Sequence, residues 1–467
     1  MRIVFFEFGS WVRRAAGLCL AGMAAACASL PIINPDMARR PASKIQVEGA
    51  QGPLSAAQSK SIIEGLKERK KDSNILERHL ALEEAIVGSP LVVGNRAMLL
   101  QDGPATFQAM YDAIRAARDH INIETYIIED DEVGRRFADA LIERQRRGVQ
   151  VNFIYDSVGA LNTPQEFFKR LSDSGIKVVQ YNPVNPLKAK AGWDVNGRDH
   201  RKLLIVDGQV AFLGGINISS VYSGGSFSQH SKVRPDGSLP WRDTDMKIEG
   251  PVVAEFQKLF IETWEKQKGP PLAKKNYFPT QRPKGKEVVR AIGSSPDEPY
   301  SLIYATLISA ITSAETEVLL TNAYFAPDPQ LLDALKDARA RGVDVKLLLP
   351  SRSDAWLVFH AGRNYYDELL RAGVKIYERQ AALLHSKTAL VDGVWSTVGS
   401  TNLDWRSFLH NQELNAVILG ADFGTQMRAM FEKDLEASAP ITLEQWQRRP
   451  IDMRVKELLA RMWEYWL

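Results

Sequence analysis

Two histidines, two lysines and two asparagines recur in this chain at one spacing. His200-Arg201-Lys202 is followed by Asp207 and then by Gly214-Gly215-Ile216-Asn217. His385-Ser386-Lys387 is followed by Asp392 and then by Gly399-Ser400-Thr401-Asn402. Both copies read H-x-K-x4-D-x6-G-[GS]-x-N. A neutral imidazole can attack phosphorus to form a phosphohistidine, while a second protonates the leaving alcohol and later deprotonates the incoming one. Two lysines would place positive charge beside the phosphoryl oxygens, and two asparagine amides would donate hydrogen bonds where charge builds up. This chemistry calls for no metal and no cofactor. The other histidines (His79, His120, His230, His360, His410) are scattered, not clustered as ligands.

A histidine in either role needs an acidic partner to fix its tautomer. The strand-like stretch after each motif supplies one. Asp243 opens Asp243-Thr244-Asp245-Met246-Lys247-Ile248, and Glu413 opens Glu413-Leu414-Asn415-Ala416-Val417-Ile418. Asp245 is the alternative in the first copy, because a period-two strand puts it on the same face. Asp207 and Asp392 either touch substrate or hold a turn. Tyr126 and Tyr324, at matched strand ends, read as core aromatics as readily as site residues.

The elements that must carry these residues are themselves repeated. Ile121–Tyr126 is an alternating β-branched strand that matches Val318–Tyr324, and a helical stretch follows each. Arg147-Gly148-Val149 then leads into a buried strand, as Arg341-Gly342-Val343 does in the second copy. Strands alternating with helices of this length imply βαβ units and a mostly parallel sheet covered on both faces. The fold class expected is α/β, a repeat of one domain whose two halves build one site. Pro270, Pro271, Pro279 and Pro283 mark a linker over 269–286, which leaves a first domain at 88–268 and a second at 287–440. Two insertions, Asn182–Asp199 and Ser223–Arg242, flank the first motif as candidate lids or substrate-contact loops.

The chain of 467 residues carries 59 basic and 56 acidic residues, a net charge of +3. That balance argues against a dedicated nucleic-acid coat. Both cysteines, Cys19 and Cys27, precede residue 30, so the folded body has no disulfide and no cysteine ligand of its own. Residues 1–30 read as a targeting segment. Arg13 and Arg14 precede a short apolar run that ends in Ala24-Ala25-Ala26-Cys27, similar to a bacterial lipobox although Ala24 stands where leucine is usual. Residues 31–57 read as a proline-bearing tether, and 59–87 as surface helices. A C-terminal amphipathic helix spans 441–467; its stripe of Val455, Leu458, Leu459, Met462, Trp463 and Trp466 is expected to pack on its own domain rather than at a lipid interface.

The doubled motif resembles the phospholipase D superfamily, and its surroundings are similar to bacterial cardiolipin synthases. The residues that carry the likeness are Asp199-His200-Arg201-Lys202, Phe212–Asn217, Asp243 with Ile248-Glu249-Gly250-Pro251, Asn322–Pro327 and Val398–Asp404. The resemblance implies an α/β fold of two phospholipase D-type α/β/α sandwich domains, a pseudo-twofold repeat with the active site at their interface, together with a covalent phosphatidyl-histidine and a membrane-associated phosphatidyltransferase of the bacterial cell envelope. Phosphatidylglycerol would be the phospholipid substrate, and the membrane surface rather than nucleic acid the partner. It implies His200 as nucleophile and His385 as acid and base. Hydrolases of the superfamily use water as acceptor instead. Family synthases often carry two N-terminal membrane spans, where this chain has one short hydrophobic segment.

Overall fold

The apolar runs centred on Ile121 and Val151 are buried on both faces, and they form neighbouring strands in one half of a long mixed sheet. The computed structural model describes residues 45–68, 75–185, 194, 196–226 and 239–464. In the first half, His120–Thr125, Gln150–Asp156 and Lys177–Tyr181 run parallel. On the other side of His120–Thr125 the strands Lys202–Val206, Val210–Gly214, Thr244–Glu249 and Leu91–Gln101 follow in antiparallel order. The second half repeats this strand for strand. Glu317–Thr321, Asp344–Pro350 and Lys375–Arg379 are parallel, and Thr388–Val391, Trp395–Gly399, Asn411–Leu419 and Glu287–Ser294 are antiparallel.

The half-sheets join where Val92 and Val93 pair with Val289 and Val288. Beside that seam Gly94 takes φ 94°, a conformation open to glycine, and Leu91–Gln101 passes from one half-sheet to the other.

The sheet is therefore not mostly parallel. Each histidine motif ends in Asp-Gly, and both residues of each pair adopt positive φ: 52° and 63° at Asp207-Gly208, 50° and 64° at Asp392-Gly393. Each pair is the centre of a tight turn, closed where Gln209 N donates to Val206 O (3.0 Å) and Val394 N to Val391 O (3.2 Å), and the hairpin such a turn closes is antiparallel.

Helices cover both faces. Glu132–Arg146 starts where Asp131 accepts from Gly134 N (2.9 Å), and it buries Val133, Phe137 and Leu141. Val253–Lys266 and Ala421–Glu436 cover the other face at the seam. Phe256, Phe260 and Trp264 share one core there with Phe423, Met427 and Phe431. This shared core makes the two halves one compact unit.

Gly269–Lys286 contains neither helix nor strand. It runs along the first half, with Gln281 donating to Gly208 O (2.8 Å) and Lys284 N to Gly94 O (2.8 Å). The tether expected over 31–57 is replaced, from residue 45 on, by a small hairpin, Val47–Gly49 with Gly52–Pro53, because Val47 is buried beside Leu91. The segment 1–30 lies outside the described residues. Helices Ala56–Glu68 and Ile75–Ile86 follow. The second packs inward through polar as well as apolar groups: buried His79 bonds Ser309 Oγ (2.9 Å) through Nδ1 and lies 3.1 Å from Glu83 through Nε2.

At the other end, Ser438–Ile441 still pairs with the second half-sheet, and two helices, Leu443–Gln447 and Ile451–Arg461, replace the one expected. Trp466 lies outside the described residues. Among them, no helix is long and apolar enough to cross a membrane.

Candidate active site

Each histidine is placed by a ladder two residues long that joins one half to the other. Arg198–Asp199 pairs in parallel with Asn411–Gln412, and His200 N donates to Gln412 O (2.9 Å). Trp241–Arg242 pairs in parallel with Leu383–Leu384, and His385 N donates to Arg242 O (2.8 Å). The acidic partners are consequently crossed. His200 Nδ1 lies 3.1 Å from both carboxylate oxygens of Glu413 in the second half. His385 Nδ1 lies 2.7 Å from Asp243 Oδ2 in the first. The sequence reading lets each motif's own following strand serve its histidine; the two ladders exchange those strands.

The lysines sit directly behind the rings. Lys202 Nζ donates to His200 O (2.5 Å), and Lys387 Nζ donates to His385 O. Lys202 lies 5.3 Å from the Tyr126 ring and Lys387 5.8 Å from that of Tyr324. The same tyrosines stand edge-on to the histidines, Tyr126 at 5.1 Å from His200 and Tyr324 at 5.9 Å from His385. Both tyrosines thus belong to the site wall.

Burial dominates the electrostatics, because it penalises whichever form is charged. It pulls Lys202 down to about 7, with the Lys387 charge adding to the effect and Glu413 opposing it. It pulls Lys387 down to about 8 against Asp243 and Glu413. It brings His200 down to about 4, against Glu413 and with Lys202 and Lys387 adding to the fall, and burial together with Lys387 holds His385 well below its usual range.

The two carboxylates behave oppositely. Burial raises Asp243 to about 7, although Lys387, Thr244 N and Arg242 pull it down. Burial also works to raise Glu413, but His200, Lys202 and the Ser400 hydroxyl together hold it below the usual carboxylate range. The difference between Gly215 and Ser400 in the two motif tails explains part of this. Ser400 Oγ donates to Glu413 Oε2 (2.5 Å). A Cβ on Gly215, at the matching place, would stand 2.2 Å from Asp243 Oδ1. The shorter acid therefore occupies the space a side chain would need.

Asp207 and Asp392 do not face the histidines. Asp207 accepts from the backbone N–H groups of Arg118, Asp119 and His120 (2.8–3.2 Å), and Asp392 from those of Glu315, Thr316 and Glu317 (2.8–3.2 Å). Each ties its hairpin turn to the start of the neighbouring strand. Asn217 is also committed within the protein: Oδ1 accepts from Ile127 N (3.0 Å) and Nδ2 donates to Tyr222 Oη (3.0 Å). Asn402 differs, for its Oδ1 is buried without a hydrogen-bond partner among the described residues. Asp245, the alternative to Asp243, accepts from Ile216 N (3.1 Å) and touches neither histidine.

The family model described as "Cardiolipin synthase, PLD-like domain" matches residues 110–223 and 307–435. A protein named cardiolipin synthase, from Geobacillus sp. (strain WCH70), is 36% identical over 386 residues, covering 82% of this chain and 74% of its own length. The chain belongs to the cardiolipin synthase family of phospholipase D-like proteins. The major cardiolipin synthase of Bacillus subtilis (strain 168) is 34% identical over 372 residues, 79% of this chain and 74% of that protein. Phosphatidylserine synthase of Haemophilus influenzae Rd KW20 shares the fold, with a TM-score of 0.60 and 12% identity over 84% of this chain and 99% of that one.

In this family member, sequence reasoning passes over two site residues. Tyr222 Oη lies 3.4 Å from His385 Nδ1, and the Trp241 ring centroid lies 4.9 Å from that of His385. They bracket the insertion after the first motif, so an aromatic at each edge of a Ser/Gly-rich segment was the available signal. Residues 186–193 and 227–238 of the two insertions lie outside the described residues.

Proposed function

We propose that the chain makes cardiolipin by transferring the phosphatidyl group of one phosphatidylglycerol to the hydroxyl of a second, releasing glycerol. His200 Nε2 attacks phosphorus, the bond from phosphorus to the glycerol oxygen breaks, and His385 gives its Nε2 proton to that oxygen. The phosphatidyl group now rests on His200. A second phosphatidylglycerol enters and loses its terminal hydroxyl proton to His385. Its oxygen attacks phosphorus, and the N–P bond breaks to restore His200. Lys202 and Lys387 neutralise the phosphoryl oxygens, and the Asn402 amide is the donor left to meet charge that builds up on them.

The crossed pairing carries the role assignment. An ionised Glu413 only accepts, so His200 donates from Nδ1 and leaves Nε2 bare for attack. Burial raises Asp243 to about 7, so its protonated form is well populated at neutral pH, which supports a His385 that keeps its proton on Nε2, ready to give.

Purified protein incubated with phosphatidylglycerol and resolved by thin-layer chromatography tests the reading. Cardiolipin and glycerol are expected, and His200→Ala and His385→Ala abolish both. Phosphatidic acid in place of cardiolipin would make water the acceptor and the protein a phospholipase D. Residues 88–268 and 287–440 are the two repeated units of this reading, and phospholipid rather than nucleic acid is its substrate. Cys27 is the proposed lipid attachment site in the cell envelope; loss of fatty-acid labelling in Cys27→Ser tests it.

A further inference from the structure

The C-terminal helix Ile451–Arg461 is docked by its polar side and turns its apolar side outward. At 100° per residue, Ile451, Val455, Leu458, Leu459, Met462 and Trp463 share an arc of about 140°. All six are between 49% and 77% exposed. The opposite side is buried through Glu457 and Ala460. Glu457 is gripped by Arg449 (2.9 Å), with Arg363 3.9 Å away. Tyr365 Oη donates to Glu464 (2.5 Å) just beyond the helix. A surface helix of a globular body normally does the reverse. The expectation that this stripe packs on its own domain is thus overturned: the ion pairs around Glu457 take the inward position.

Two further observations bear on what covers the exposed side. Arg454 and Arg461 border the apolar arc along one edge; along the other Lys456 pairs with Asp452 (3.0 Å), which lies within the arc, so the basic charges outnumber the acid three to one, which suits an anionic surface. The helix also packs across Trp356–Arg363. That helix begins at the rim of the histidine site, where Asp354 accepts from Tyr324 Oη (2.8 Å) and Trp356 is exposed. In the first half Val158, Leu161 and Val184 are exposed, and like Trp356 they follow the C-terminal ends of the parallel strands, the end at which the histidines sit.

We propose that Ile451–Trp463 lies in the surface of an anionic bilayer and holds the histidine site against it. The helix seats its apolar arc among acyl chains, with Arg454, Lys456 and Arg461 at the level of the phosphates. This inference rests on the catalytic reading only for the assay that reports it.

The test uses the full-length protein and vesicles of phosphatidylcholine with one quarter phosphatidylglycerol. Leu458→Glu/Leu459→Glu is expected to turn over vesicle phosphatidylglycerol at least tenfold more slowly than wild type. Turnover of monomeric short-chain phosphatidylglycerol should be unchanged, since neither leucine touches the site. Brominated phosphatidylcholine should quench a tryptophan component that Trp463→Phe lacks. Vesicle turnover within twofold of wild type, or equal quenching of wild type and Trp463→Phe, overturns the proposal. So does a wild type that dimerises in solution through this helix while the double variant is monomeric and equally active on vesicles. Loss of monomer turnover in the wild type would instead count against the catalytic reading.

Discussion

Replacing Glu413 by glutamine and Asp243 by asparagine should separate the two chemical roles. In the proposed phosphohistidine the His200 ring would carry a positive charge, with both Glu413 oxygens 3.1 Å from Nδ1. Taking charge centres about 4 Å apart and an effective dielectric of about 20, that attraction is worth about 4 kcal/mol. Glutamine keeps an oxygen for Nδ1–H and an amide for Ser400, so geometry survives while the charge is lost. Formation of the adduct should slow by roughly 10³-fold. The asparagine of Asp243→Asn can still accept from Thr244 N, as Asp243 does at 2.7 Å, but it cannot pass a proton to His385 as that ring gives up its own.

The assay compares phosphatidylglycerol with a phosphatidyl p-nitrophenyl ester, whose leaving group departs without a proton. On the ester, Asp243→Asn and His385→Ala should recover most of their burst of p-nitrophenolate, while Glu413→Gln stays slow and His200→Ala stays silent. Recovery of Glu413→Gln with a persistent defect in Asp243→Asn would reverse the roles. Near-normal rates for both on phosphatidylglycerol would refute the electrostatic argument itself.

Other outcomes follow from the same geometry. Lys202 and Lys387 lose their charge as pH rises through about 7 and about 8, so kcat/KM should fall on the alkaline side with its inflection there, and Lys202→Arg should move that limb upward. The sign is opposite for stability: a lysine lowered from 10.5 to about 7 opposes folding fully below about pH 7 and less as pH rises toward 10.5, so Lys202→Met should stabilise the fold at pH 7 by on the order of 4 kcal/mol less the lost bond to His200 O, read as a higher denaturation midpoint. Asp207→Ala strands three backbone donors and should destabilise by about 3 kcal/mol, with kcat of the folded fraction within threefold of wild type. Gly215→Ser should displace Asp243 and reproduce the Asp243→Asn defect on phosphatidylglycerol, whereas Ser400→Ala should only weaken Glu413.

The repeat and its histidines are legible in the chain because identical chemistry at identical spacing survives any rearrangement of loops. Asp243 and Glu413 are legible as acids at strand starts, but not which histidine each serves. Glu413 meets His200 from 213 residues away, through a ladder two residues long that no local pattern announces. The antiparallel hairpins were readable from Asp207-Gly208 and Asp392-Gly393, yet the βαβ alternation around them dominates a reading by periodicity. The spacing of Leu458, Leu459 and Met462 shows that a helix has an apolar side and says nothing of which way it faces. That was settled by Glu457, a single buried acid with its arginines.

The most direct test is to trap the covalent state. Protein mixed with the phosphatidyl p-nitrophenyl ester, quenched in alkali and digested, should carry the phosphatidyl group on the peptide containing His200. The adduct should accumulate in His385→Ala, which cannot activate the acceptor, and be absent from His200→Ala. An adduct on His385, or cardiolipin formed at the wild-type rate by His200→Ala, would contradict the account.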